Sequence, residues 1–232
     1  MDKGEFVSLA VATALMTIVF TLLIYYVMPM PFEYALVAGF VVTLCTVMFH
    51  ESVHMLYAEE VCHRNATFTL TKFALGVTLT SIAVLTILIL IKQYTGWYTY
   101  IIPIIASPGG VYILMKDSDR CYDNIAIVAP YANMIVGVLC LCYLFTTTNP
   151  PFILNDVSNF TQSLVALVAF FSFSLAFINA LPIRVGNVAT DGYWAVTVDQ
   201  SDYVTKMLAV ITVAVSFYVL FLSGWWCIKV VT

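Results

Sequence analysis

The chain alternates long apolar runs with short polar connections, and the runs have the length of membrane spans. Residues 6–28, 34–57, 73–91, 125–146, 163–183 and 207–228 are dominated by Leu, Val, Ile, Ala, Phe and Tyr. A bilayer core of roughly 30 Å needs about 20 apolar residues in helical form, so each run predicts one transmembrane helix. The expected fold class is an all-α polytopic membrane protein with six transmembrane helices. Pro29 and Pro31 close the first hairpin, and Asn149, Pro150 and Pro151 close a later one.

A seventh uncharged stretch, residues 97–115 (WYTYIIPIIASPGGVYILM), breaks this pattern. Pro103, Ser107, Pro108, Gly109 and Gly110 interrupt it, and its β-branched and aromatic residues suit extended chain. Non-helical backbone survives at membrane depth only where protein buries it or water reaches it. The expectation is a broken, partly extended membrane segment lying against other helices or lining a cavity. Pro108, Gly109 and Gly110 then become candidate substrate-binding residues. The plainer reading is a re-entrant loop without a functional part.

Composition strengthens the membrane assignment: the chain is 62% hydrophobic and 9% charged, with a mean hydropathy of +0.98. Net charge is only −4 and no block of Lys and Arg is present, so nucleic acid is excluded as a partner. Membrane lipid is the surrounding medium. The N-terminal MDKGEF is a poor signal-peptide start, and the first run is expected to be a retained span. Arg64, Lys72, Lys116, Arg120, Arg184 and Lys206 can all be placed on one face, whereas Lys92 and Lys229 cannot. The positive-inside rule puts the N-terminus and those six on the cytoplasmic side of a cell membrane. None of the six cysteines forms a CxxC pair, so they are expected to be small buried hydrophobes rather than a disulfide framework. Without an internal repeat or a long polar linker, residues 1–232 read as one domain with a core at about 34–200.

Sixteen uncharged residues, Tyr34 to Phe49, lead into HESVH at 50–54. On a helix, His50 and His54 project from one face one turn apart, the spacing that lets two imidazoles grip one metal ion. Glu51 lies about 100° round the axis, where it can reach a water activated by the metal and pass its proton to a leaving amine. Ionisable groups inside an apolar span cost on the order of 2.5 kcal/mol or more each unless paired, which makes them functional candidates. The alternative is that the helix leaves the membrane at His50, since Glu59, Glu60, His63 and Arg64 follow closely. A catalytic zinc usually takes three protein ligands and keeps one open position. His63 does not fit the HExxHxxGxxH spacing, and Glu60 occupies its third-ligand place without the glycine; both read better as interfacial polar residues, and the other candidate is Asp191, an acid preceding Gly192 directly after an apolar helix.

Four pieces, HESVH at 50–54, SPGGVY at 107–112, APYAN at 129–133, and NALP at 179–182 followed by Asp191-Gly192, together resemble the site-2 protease family of intramembrane zinc metalloproteases in its archaeal and bacterial branches. The resemblance covers residues 45–195 in the family's order. It implies a zinc ion, one per chain, held by His50, His54 and Asp191, with Glu51 as general base. Asn133 and Asn179 would face the site and hold or polarise the substrate strand. The substrates implied are single-span membrane proteins cut in or near their transmembrane helix, as in regulated intramembrane proteolysis. Three departures stand out: Ala129 where the family has glycine, a longer stretch between Pro182 and Asp191, and a full helix at 73–91 in place of a short extended region.

One zinc joining His54 to Asp191 requires an even number of crossings between them. The helices at 73–91, 125–146 and 163–183 supply three, so residues 97–115 must supply the fourth. Two other readings compete: a non-hydrolytic metal-binding relative whose lengthened loop displaces Asp191, and a small transporter using His50, Glu51 and His54 as a relay.

Overall fold

The computed structural model describes residues 3–28, 30–95, 109–113, 121–148, 152–153, 159–185, 188–197, 203–223 and 228–229. Among the described residues six helices are long and apolar enough to cross a membrane, so the protein is an all-α polytopic membrane protein. Helix α1 spans Lys3–Val27. The second crossing is a continuous 30-residue helix, Phe32–Val61. It consists of α2 (Phe32–Thr43), a π-helical turn (Leu44–Met48), α3 (Phe49–Leu56) and a second π-helical turn (Tyr57–Val61). Then come α4 (Lys72–Thr95), α5 (Cys121–Thr147), α6 (Phe160–Ala180), the short α7 (Asp191–Thr197) and α8 (Tyr203–Phe217), which continues as a π-helical turn to Ser223. Helix α6 stops at Ala180, short of the residue 183 expected from hydropathy, because Leu181 precedes Pro182 and is extended, with ψ 137°.

Close approach of backbones holds the bundle together. Gly39 on α2 lies against Thr21 on α1, where a Cβ would meet the Thr21 backbone nitrogen at 2.7 Å. With apolar lipid outside, such small-residue contacts and the van der Waals packing they permit take over from hydrophobic burial as the drive for association. The core so formed includes Met16, Phe20 and Ile24 of α1, Ala38 and Val42 of α2, and Leu167 and Phe171 of α6. Phe20 and Phe171 meet edge to face at 4.8 Å. Helix α4 packs chiefly on α1. At its end the Lys92 ammonium donates to the Tyr26 carbonyl at 2.6 Å, capping the last turn of α1.

Short strands link the helices. β1 (Ala66–Leu70) pairs antiparallel with β2 (Gly109–Ile113), with Ala66 opposite Ile113 and Leu70 opposite Gly109. β2 is the described part of the expected extended segment; residues 97–108, including Pro103 and Pro108, and residues 114–115 lie outside the described residues. β1 went unforeseen, although ATFTL alternates apolar and polar residues and buries Ala66 and Phe68 on one side. Glu5, near the start of α1, accepts a hydrogen bond from the Phe68 backbone amide at 3.1 Å, so α1 begins at the same end of the bundle as β1. β3 (Phe152–Ile153) and β6 (Ile228–Lys229) pair at the opposite end, and β4 (Arg184–Val185) forms a hairpin with β5 (Val188–Ala189).

Thr95 ends a 24-residue helix about 36 Å long, yet Gly109 sits beside Leu70, two residues before that helix begins. Gly109 and Leu70 therefore lie at the end of the bundle where α4 begins, the end that also holds His54 and Asp191.

The cysteines correct an expectation. Cys62 and Cys121 form a disulfide, their Cα atoms 5.9 Å apart, joining the end of the second crossing to the start of α5. Their positions in two polar connections 59 residues apart gave no motif that sequence alone could pair. Among the described residues Cys45, Cys140 and Cys142 are free; the first two pack half-buried against the apolar core, as expected of small hydrophobes, and Cys142 is exposed, while Cys227 lies outside the described residues. Peptide mapping of protein alkylated without reductant should yield Cys62 linked to Cys121. Recovery of both as alkylated thiols would contradict the bond.

Candidate metal centre

Helix α3 carries His50, Glu51 and His54 inward; all three are buried, with 4%, 7% and 7% of their surfaces exposed. They are flanked by π-helical turns at Leu44–Met48 and Tyr57–Val61. A π turn takes one residue more than an α turn, so it rotates everything beyond it about the helix axis, and such turns gather at functional sites. Within α3, Ser52 directs its hydroxyl to the Met48 carbonyl at 2.7 Å, which satisfies it without a role at the site. Glu59, Glu60 and His63 lie exposed beyond α3 and take no part in the cluster.

Asp191 arrives from the other half of the chain. The longer stretch after Pro182 is taken up by the β4–β5 hairpin, which brings residue 190 back to the end of α6. There the Thr190 amide donates to the Ile183 carbonyl at 2.9 Å, the Ile183 amide donates to Thr190 Oγ1 at 3.1 Å, and the Thr190 hydroxyl donates to the Leu181 carbonyl. α7 then starts at Asp191, tight against α6. A Cβ on Gly192 would collide with the Ala180 carbonyl and approach the Leu181 carbonyl carbon to 2.9 Å. The Asp-Gly pair thus combines a ligand-type side chain with the absence of a side chain that lets it reach the site.

Three donor atoms converge. His50 Nε2 lies 3.1 Å from Asp191 Oδ2 and 3.2 Å from His54 Nε2, and His54 Nε2 lies 3.4 Å from the same carboxylate oxygen. Tetrahedral bonds of about 2.0–2.1 Å would set ligand atoms roughly 3.3–3.4 Å apart, so the triangle has the size of one face of such a coordination sphere. Among the described residues this is the group able to hold a metal ion. His54 also shows the matching tautomer: its Nδ1 meets the Ile125 carbonyl on α5 at 2.8 Å. A carbonyl only accepts, so Nδ1 carries a proton, and in the neutral imidazole, the form that binds a metal, the Nε2 lone pair would face the triangle. Burial by itself would push the Asp191 carboxyl up, but the His54 charge and hydrogen bonds from both imidazoles hold it well below the usual carboxylate range. It is therefore an anionic donor, and with 26% of its side chain exposed it marks the open side of the cluster.

Both asparagines reach His50. Asn179, at the end of α6, brings Nδ2 within 3.4 Å of His50 Nε2, on the side of the triangle. Asn133, fully buried on α5, places Nδ2 3.3 Å from His50 Nδ1, behind the ring. Gly109 and Gly110 lie in β2, which together with β1 contacts α3, whereas Pro108 is outside the described residues. The Ile125 carbonyl had no signal in the sequence, because every residue type supplies one. Comparison with protein-family models, with curated proteins and with solved structures finds no match to this chain.

The fit at Gly192 is testable by stability alone. Gly192→Ala should lower the thermal unfolding midpoint in detergent, since forcing a methyl group into a packed contact costs roughly 1–3 kcal/mol. An unchanged midpoint would contradict the close approach of α7 to α6.

Proposed function

We propose that the protein is a zinc-dependent intramembrane endopeptidase that hydrolyses peptide bonds in or near the transmembrane segments of membrane proteins. The observation that carries this reading is the buried triangle of His50, His54 and Asp191 with Glu51 next to it in sequence, set among membrane helices. Two imidazoles and one carboxylate also suit iron oxygen chemistry. A carboxylate beside the ligands, free of the ligand set itself, is what hydrolysis needs and oxygen chemistry does not.

A zinc ion bound by these three residues supplies Lewis acidity, which polarises a carbonyl and acidifies a water. Glu51 takes the proton from the attacking water and delivers it to the departing amine. Asn179, beside His50 Nε2, is placed to donate to the substrate carbonyl. Asp191 lies on the open side, so substrate approaches past α7 and the end of α6. A transmembrane helix has to unwind before its backbone can be cut, and the β1–β2 pair offers extended backbone to which an unwound strand can add by hydrogen bonding. Gly109 and Gly110 contribute to that strand, and single-span membrane proteins are the substrate class that fits.

The site belongs on the cytoplasmic face of a cell membrane in this reading. Lys3, Arg64, Lys72, Arg184 and Lys206 sit at the site's end of the bundle, against Lys92 and Lys229 at the other. The Cys62–Cys121 bond lies at the site's end too and favours the opposite assignment, because cytosolic thiols are usually kept reduced. The charge asymmetry outweighs one bond of a kind that intracellular proteins of hyperthermophiles also carry. In sealed cells a membrane-impermeant thiol reagent should label Lys92→Cys and spare Lys206→Cys; the reverse pattern would invert the topology.

Metal analysis after purification in detergent should find about one zinc per chain, strongly reduced in His54→Ala and Asp191→Ala. Glu51→Gln should keep its zinc. Its cleavage of a tagged single-span helix in liposomes should fall by about 10²–10⁴-fold, the usual contribution of a general base. A zinc-free folded parent, or Glu51→Gln with full activity, would overturn the proposal.

A further inference from the structure

Asn133 has no route to a substrate: it is wholly buried and stands behind His50, on the side of the ring away from the triangle. Its possible role is set by the needs of the two histidines. His54 is set to offer Nε2 because its Nδ1–H is engaged by the Ile125 carbonyl. For His50 to offer Nε2 in the same way, its proton must also sit on Nδ1, and that proton then needs an acceptor behind the ring. The group behind the ring is the Asn133 carboxamide, whose Nδ2 lies at 3.3 Å while its Oδ1 is buried with no hydrogen-bond partner. In this arrangement Nδ2 donates to Nδ1, and His50 Nε2–H donates to Asp191 Oδ2 at 3.1 Å, which ties up the ligand atom.

The two ends of a carboxamide are nearly equal in size, and no protein partner holds Oδ1. A half-turn of the amide therefore exchanges oxygen for nitrogen without needing space and without breaking a bond other than the one to His50. We propose that Asn133 is a positioning residue for the metal centre: in the metal-loaded protein its Oδ1 accepts from His50 Nδ1–H, which fixes the tautomer that leaves Nε2 to the metal. The role replaces the substrate contact implied for Asn133 by the family resemblance, and it rests on the zinc reading above. The amide thus works as a two-position latch, in which one orientation matches the carboxylate-paired His50 and the other the ligating His50.

The test is zinc affinity, measured by competition with a chromogenic chelator in detergent, for the parent, Asn133→Leu and Asn133→Asp. Thermal melting and size exclusion monitor folding. Leucine fills the space but accepts nothing, and loss of such an outer partner typically weakens metal binding about 10–100-fold. Aspartate offers only acceptor oxygens and should hold affinity at or above the parent's. If Asn133→Leu binds zinc as the parent does, the proposal fails. If the folded Asp variant is weakened as much as the Leu variant, the donor end of the amide matters and the proposal fails as well. A folded parent that binds no zinc would instead remove the metal reading on which the proposal rests.

Discussion

The meeting of His50 and His54 with the Asp191 carboxylate is the contact on which the rest of the molecule depends. It joins residues 141 and 137 positions apart in the chain, and it places ionisable groups in an environment where each needs a partner. The helices between them must cross an even number of times. The loop before Asp191 must fold back on itself, and α7 must press onto the end of α6 through Gly192. Each of these features is awkward in isolation, and together they are what bring one carboxylate oxygen to two imidazole nitrogens.

Much of this was legible because membrane spans announce themselves by composition. The six crossings and the helical spacing of His50 and His54 come directly from residue types, and the acid before a glycine drew attention to Asp191. The extended character of the segment around Gly109 was readable from its prolines and glycines, and β2 bears it out over the described residues. β1 could have been found from the strict alternation in Ala66–Leu70. Other features had no sequence signature. A π-helical turn depends on packing along a whole helix, the Cys62–Cys121 bond on the convergence of two distant connections, and the Ile125 carbonyl on backbone placement alone.

The two histidines, alike in motif and burial, are held by different kinds of group. His54 leans on a backbone carbonyl, which has one possible role, whereas His50 leans on an amide, which has two. The rigid support lies on α5 four residues from the disulfide-bonded Cys121, at the start of the helix, and the adaptable one lies further along the same helix. Helix α5 thus serves as the back wall for both histidines, and any change in how α5 sits against α3 reaches both at once.

Strands β1 and β2 are antiparallel neighbours, as in any hairpin, but the connection between them contains an entire membrane helix. Because β1 and β2 meet at the end of the bundle where α4 begins, what lies between them changes neither the sidedness of the later helices nor the register of the two strands. Helix α4 rests chiefly on α1, away from the histidines. It belongs to what is in effect a topologically silent insertion, so a protein built on this plan could gain or lose what lies between β1 and β2 while His50, His54 and Asp191 stay at the same end of the bundle.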